Sequence, residues 1–131
     1  MLPELADLLI DLAEHHRAAG DLGEAEKLCK EAVTIAASRT LLTTHANALA
    51  TRARVRADRF VSEATPQDRD RAEDDIEQAL RLATRFHRLP WCELRALEAQ
   101  AYFRSRTSDG QEYASDAVKI LRDRLIPPMP A

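Results

Sequence analysis

The sequence predicts an all-α protein, and three features of the chain indicate this fold class. Apolar residues recur at steps of three and four, as in Leu5, Leu8, Leu9 and Leu12, which is the spacing of an amphipathic helix. Sustained alternation of apolar and polar residues, the pattern of a half-buried strand, does not occur in the sequence. Aromatic residues make up only 5% of the 131 residues, and alanine and leucine are abundant, which favours helices over sheets.

A short alanine-centred pattern occurs in three places along the chain. Residues 31–36, 78–83 and 116–121 each show a polar residue, an alanine, an aliphatic residue, a spacer and two apolar residues. Internal repetition of this kind predicts a stack of similar units, and such stacks present extended binding surfaces.

Breaking and capping residues predict where each helix begins and ends. Pro3 suits the first turn of the first helix, and Gly20 with Asp21 ends it and caps the second. Ser38 and Thr40 precede the third helix, and acidic residues from Asp68 onward favour the start of the fourth. The predicted helices cover about 3–19, 23–37, 41–61, 68–88, from 90 to the turn at 108–110, and from that turn to Pro127.

The first predicted helix pair, residues 5–37, resembles a tetratricopeptide repeat. Its small residues Ala13, Ala25 and Ala32 would let two antiparallel helices approach closely, and Gly20 would turn the chain between them. The resemblance implies a single domain over 1–131, with six antiparallel helices in three hairpins that form a short right-handed superhelical stack. The repeats would span about 3–37, 40–88 and 90–125, followed by a tail at 126–131.

The three units differ in length and in how well they match the family. Leu12 to Ala32 and Leu97 to Ala117 are both 20 positions, whereas Leu49 to Ala79 is 30, so the middle unit is enlarged. Glu98 replaces a small residue of the family pattern, and most of the family's aromatic positions are replaced as well. These departures resemble the degenerate, alanine-rich repeats of large actinobacterial regulators and signalling ATPases.

In this family the first helices of successive pairs line a concave face, and the resemblance therefore implies a set of groove residues. The implied face would be acidic at one end and rich in arginine at the other, with Tyr102 as a flat anchor. Ile10 and Glu14 stand where the recognition of chaperone tails requires cationic or amide groups, which argues against that ligand. The implied groove residues are Asp7, Ile10, Asp11, Glu14, Arg17, Thr44, Asn47, Thr51, Arg54, Arg95, Ala99, Tyr102 and Phe103.

The expected function is a non-catalytic protein–protein interaction module that binds a peptide or a partner domain on the concave face, as a segment of a larger regulatory protein. The alternative is a self-assembly element that forms a homodimer through the first helix. That helix is apolar around much of its circumference, and an uncovered apolar end of a stack favours pairing with a second copy. Its apolar residues are Leu2, Leu5, Leu8, Leu9, Ile10 and Leu12.

Other classes of function find little support in the sequence. No phosphate-binding loop, nucleophile elbow or catalytic triad pattern occurs, and the four histidines and two cysteines lack the spacing of metal ligands, so neither an enzyme nor a cofactor or metal site is expected. The formal net charge of −3 disfavours nucleic acid as a partner, and no apolar run is long enough to cross a membrane. Cys29 and Cys92 are expected to be buried, reduced thiols in a cytoplasmic protein.

Three arginines of the third helix, Arg52, Arg56 and Arg59, share one face at steps of four and three. They could form a phosphate or nucleic-acid site, but ion pairs with acidic residues of the fourth helix are the favoured interpretation. The expected partners are Asp70, Glu73, Asp74 and Glu77. Trp91, next to Pro90, is expected to be a packing residue at a helix start.

Overall fold

The computed structural model describes residues 2–63, 66–84 and 90–107, together with Lys119, Arg122 and Asp123. The described residues contain five long helices and no strand, which confirms the all-α fold class. The helices are α1 (Leu2–Ala18), α2 (Leu22–Ser38), α3 (Leu42–Glu63), α4 (Pro66–Thr84) and α5 (Pro90–Thr107). The structure thus has five of the six predicted helices, because the predicted sixth helix and the third alanine motif lie almost entirely outside the described residues. The predicted end of the fourth helix, at residues 85–88, also lies outside them.

Short turns with a left-handed residue join the first three helices. Gly20 has a φ of 84° between α1 and α2, a conformation that glycine adopts without steric cost. Asp21 then caps α2 as predicted, because its side chain accepts a hydrogen bond from the backbone N–H of Glu24 at 3.4 Å. Between α2 and α3 the left-handed residue is Thr40, with a φ of 56°.

The five helices form two layers with α3 at the centre. Each helix contacts the next along the chain, and α3 also contacts α1 and α5. Because α1, α3 and α5 run in the same direction, the start of α1 lies beside the start of α3 and the two C-terminal halves also meet. Asp7 contacts Thr44 near one end, and Arg17 contacts Asp58 near the other. Helices α2 and α4 pack behind this three-helix layer.

Alanines in the helix contacts allow this close arrangement, as the sequence predicted. Ala13, Ala25, Ala32 and Ala79 are all fully buried. The core between α3 and its neighbours contains few large side chains, of which Leu49 is the largest to be completely buried. Small residues at these positions let the helix backbones approach one another, so that polar residues of α3 lie within reach of α1, α2, α4 and α5.

Candidate partner-binding face

The residues that the family resemblance assigned to a groove lie on three neighbouring helices. They belong to α1, α3 and α5, which lie next to one another as a layer. We call the side of this layer that faces away from α2 and α4 the three-helix face. We call the end of this face near the starts of α1, α3 and α5 its N-terminal end, and the end near the last turns of these helices its C-terminal end.

A cavity of about 300 Å³ lies at the N-terminal end of the three-helix face. Its lining residues come from all three helices, and every one of them belongs to the predicted set: Asp7, Ile10, Asp11, Asn47 and Arg95. The Oδ1 atom of Asn47 is buried and has no hydrogen-bond partner among the described residues. The cavity therefore presents two carboxylates, one guanidinium and an amide with unused hydrogen-bonding capacity.

The C-terminal end of the face is occupied by a group of charged residues around Tyr102, which we call the tyrosine cluster. The cluster consists of Glu14, Arg17, Arg54, Asp58, Tyr102 and Arg106. The guanidinium carbons of Arg17, Arg54 and Arg106 lie 5.3, 5.1 and 5.9 Å from the centre of the tyrosine ring. These distances are typical of cation–π contacts, so the ring holds three cations together.

Hydrogen bonds fix two members of the cluster in place. Arg17 donates to Glu14 at 3.0 Å, and to both Asp58 and the hydroxyl of Tyr102 at 3.2 Å. The hydroxyl of Tyr102 in turn donates to Asp58. The polar tip of Tyr102 is therefore already bonded within the protein.

Burial and the neighbouring carboxylates shift the pKa values of Tyr102 and Arg17. Burial raises the pKa of Tyr102, and the hydrogen bond to Asp58 raises it further. Burial acts to lower the pKa of Arg17, but the carboxylates of Glu14 and Asp58 outweigh it, so the pKa of Arg17 is raised. The phenol stays protonated and the guanidinium stays charged at neutral pH.

Several residues of the predicted set are too buried to touch a partner directly. Ile10, Thr51, Ala99 and Phe103 are between 0% and 4% exposed, and Thr44 is also buried. Ile10 packs with residues of α2 and α3, and Ala99 and Phe103 pack in a core cluster that includes Ala72 and Ile76 of α4. The side chains that remain partly or fully exposed are Asp7, Asp11, Glu14, Arg17, Asn47, Arg54, Arg95 and Tyr102.

Two residues of the tyrosine cluster were not among the predicted groove residues. Asp58 is four residues after Arg54, and Arg106 is four residues after Tyr102, so each continues its helix stripe by one turn. This four-residue spacing is the sequence signal from which both residues could have been assigned to the face. Both residues lie within the predicted helices, but the groove positions implied by the family resemblance stopped at Arg54 on α3 and at Phe103 on α5.

The arginines at 52, 56 and 59 do form ion pairs, but with other partners than those predicted. Arg52 donates twice to Asp75, at 3.0 and 2.8 Å, and Arg56 donates to the same carboxylate at 2.8 Å. Arg56 also donates to Glu26 of α2 at 3.0 Å. The predicted acids of α4 are exposed, and Asp75 is the acid of that helix that faces α3 at this level.

Arg59 completes this interior network between α2, α3 and α4. Its guanidinium lies 3.8 Å from a carboxylate oxygen of Glu26, 3.9 Å from one of Asp68 and 3.5 Å from one of Glu63. Asp68 is 2% exposed, and Asp75 is 3% exposed. The three guanidiniums of Arg52, Arg56 and Arg59 are therefore directed at carboxylates of this chain.

The sequence also predicts the environments of Cys29, Cys92 and Trp91. Cys29 and Cys92 are both buried and unpaired, as expected. Burial, with a smaller contribution from Glu26, raises the pKa of Cys29 to about 12, so this thiol is protonated and unreactive. The prediction for Trp91 was wrong, because its side chain is 77% exposed at the start of α5, where the neighbouring Cys92 faces the core.

No three His, Cys, Asp or Glu side chains within the described ranges are arranged to hold a metal ion. No helix in the described part of the chain is long and apolar enough to span a bilayer.

Comparison of the chain with protein-family models, with curated proteins and with solved structures finds no match.

Proposed function

We propose that this protein is a non-catalytic interaction module that binds a peptide or a domain of a partner protein across the three-helix face. The observation that supports this most directly is the cavity to which α1, α3 and α5 all contribute, lined only by residues of the predicted groove. A cavity shared by three helices, with carboxylate, guanidinium and amide groups, provides several directional contacts for a backbone or polar side chain.

The finer architecture belongs to the same proposal. We infer that α1–α2 and α3–α4 are two tetratricopeptide-like hairpins and that α5 is the first helix of a third, completed by residues 110–125. The parallel direction of α1, α3 and α5 and the fully buried Ala32 and Ala79 support this assignment. A face built from the first helix of each hairpin is what the family resemblance implies for partner binding.

Site-specific photo-crosslinking in cells tests the proposed binding face. A photoreactive amino acid replaces either Asp11 or Arg95, both exposed on the three-helix face, or the exposed Lys30 of α2 or Gln78 of α4 as matched controls. We expect one protein to be crosslinked from both face positions and from neither control. Crosslinking from the controls alone, or equally from all four positions, would refute the proposed face.

Self-assembly is the alternative function, and one observation favours it. Leu5, Leu8 and Leu12 of α1 are 43%, 65% and 45% exposed, although they are large apolar residues. They follow one another at steps of three and four, so they form a continuous stripe along α1. Leu9 and Ile10, which belong to the same predicted apolar circumference, are instead buried against α2 and α3.

The stripe has the spacing of a coiled-coil seam, and a second copy of α1 would cover it. Sedimentation at several concentrations distinguishes this alternative. A dimer in the wild type that becomes a monomer in Leu8→Glu would support self-assembly, whereas a monomer at every concentration would exclude it. Because the stripe and the three-helix face use different side chains, the two functions can be tested separately.

A further inference from the structure

The tyrosine cluster has more positive than negative charge. It contains the guanidiniums of Arg17, Arg54 and Arg106, which are drawn around one aromatic ring, and the carboxylates of Glu14 and Asp58. Three cations and two anions leave one excess positive charge in a partly buried place. An anion from outside the chain would neutralise it.

Arg54 is the member of the cluster whose hydrogen-bonding capacity is least used. It makes no hydrogen bond to any described residue, and its nearest ionic contact is 3.7 Å, from Nη1 to Glu14. Its Nε atom is buried and has no partner within the described part of the chain. A buried donor without an acceptor is unfavourable, and Oε1 of Glu14 beside it is likewise buried without a hydrogen-bond partner in the described part of the chain. The Arg54 side chain is 30% exposed, so an acceptor from outside would meet its exposed part rather than Nε.

Arg106 is placed to share that acceptor. It contacts the Tyr102 ring, as Arg54 does, and its side chain is 43% exposed. Its contact with Asp58 is 3.5 Å, at the limit of hydrogen bonding, so this carboxylate holds it only weakly. Stacking on the ring holds both guanidiniums in place, which reduces the conformational entropy lost on binding.

We infer that Arg54 and Arg106 bind the carboxylate of an acidic side chain in the partner protein, at the C-terminal end of the three-helix face. This inference rests on the proposed function and names the chemistry of the partner. A planar carboxylate matches the planar fork of a guanidinium, and a single negative charge equals the excess of the cluster. A phosphate dianion would exceed that charge and meet Glu14 and Asp58.

The other end of the face favours a protein segment over a polyanion. Asp7 and Asp11 line the cavity there together with one arginine, Arg95, so carboxylates outnumber guanidiniums at this end. Asn47 at the cavity and Arg54 at the cluster are seven residues apart on α3, which is about 10 Å along the helix axis. An extended peptide covers that distance in about three residues, so only part of the partner segment has to be acidic.

Titration with a short peptide tests this inference by nuclear magnetic resonance. The probe is an acetylated and amidated peptide of alanine and serine with one central glutamate, and the control peptide has glutamine in its place. We expect the Nε–H signals of Arg54 and Arg106 to shift saturably with the glutamate peptide, and at least ten times more weakly with the glutamine peptide.

Substitutions show whether the shifts come from this site. Arg54→Gln and the more exposed Arg106→Gln should each weaken binding at least fivefold, whereas Arg81→Gln, which removes an exposed arginine of α4, should leave it unchanged. Should Arg54→Gln unfold the protein, Arg54→Lys and Arg106→Gln provide the same comparison.

Three outcomes would overturn the inference. These are the absence of a shift at 10 mM peptide, equal shifts with both peptides, and tighter binding of inorganic phosphate to the same signals. A partner crosslinked to the face at Asp11 and Arg95 together with any of these results would leave the proposed function standing. Failure of the crosslinking itself would instead count against the proposed function.

Discussion

At the scale of single residues, Asp75 is the side chain on which the interior network depends. It is nearly inaccessible and accepts three hydrogen bonds from Arg52 and Arg56. We expect Asp75→Asn to lower the free energy of unfolding by about 3 kcal/mol, because it leaves two partly buried guanidiniums without their shared carboxylate. Urea unfolding followed by circular dichroism measures this loss.

The neighbouring residue supplies the control for this prediction. Asp74 is exposed and has the same charge, so Asp74→Asn should change the free energy of unfolding by no more than about 0.5 kcal/mol. If the two variants lost equal stability, the assignment of Asp75 as the partner of Arg52 and Arg56 would be wrong.

Cys29 gives the protein a predictable dependence on alkaline pH. Its pKa is raised from 9.0 to about 12 in the folded protein, so the folded state retains a proton that the unfolded state loses. The stabilisation is complete below pH 9 and declines as pH rises toward 12, by about 1.4 kcal/mol per pH unit in that interval.

We therefore expect the wild type to lose about 2 kcal/mol relative to Cys29→Ala between pH 9 and pH 10.5. The comparison with Cys29→Ala removes the contributions of other groups that titrate in that range. Urea unfolding of both proteins at the two pH values measures the difference. Parallel pH profiles would show that Cys29 is not protected in the folded state.

At the scale of elements, the two turns around α2 have the same left-handed conformation but different residues. Gly20→Ala should lower the free energy of unfolding by about 1 kcal/mol, because an alanine at a φ of 84° is strained even though no atom lies within 4 Å of its Cβ. Thr40→Gly should raise it by about 0.5 kcal/mol, since a β-branched residue at a φ of 56° is strained already.

Gly23 is the matched control for these turn variants. It lies within α2, its added Cβ would also meet no atom within 4 Å, and its φ is outside the left-handed region. Gly23→Ala should therefore raise the free energy of unfolding by about 0.5–1 kcal/mol. Thermal unfolding of the three variants measures the effects, and a loss of stability in Gly23→Ala would contradict this account of the turns.

The limits of the helices were predictable from the sequence because local chemistry determines them. Gly20 and Asp21 act within one turn of the chain, and the predicted limits of the first three helices agree with the structure to within about two residues. Ser38, predicted as a capping residue between α2 and α3, is instead the last residue of α2, where its hydroxyl donates to the carbonyl of Ile35.

The five predicted residues that line the cavity come together for a related reason, since residues of one stripe share a face of their helix. Ala99 and Phe103 instead lie in the core cluster with Ile76 of α4, which the stripe alone did not reveal.

The ion-pair partners were not predictable in the same way. Neighbouring helix positions differ by about 100° in direction, so the choice among Asp74, Asp75 and Glu77 depends on how α4 is rotated against α3. Glu26 belongs to α2, and its contact with Arg56 depends on the arrangement of three helices. The alanine pattern indicates which helix faces touch, but not which charged residues beside those faces meet.

At the scale of the whole molecule, α3 joins all the other described helices, because it contacts α1, α2, α4 and α5. A molecule organised around one central helix should unfold in a single cooperative transition, even though stacks of repeats can unfold in parts. Leu49 is a suitable test position, since it is the largest completely buried side chain and its core cluster contains Ala79 of α4 and Ala96 of α5.

We expect Leu49→Ala to lower the free energy of unfolding by about 3 kcal/mol while the transition remains single and equally steep in urea. Far-UV circular dichroism and hydrogen exchange are suitable probes, whereas the fluorescence of the exposed Trp91 should change little on unfolding. Leu12→Ala on the exposed stripe is the control and should cost less than about 0.5 kcal/mol in a monomer. Two separate transitions in Leu49→Ala would show that the helix pairs fold independently of α3, and a concentration-dependent loss in Leu12→Ala would show that a second copy covers the stripe.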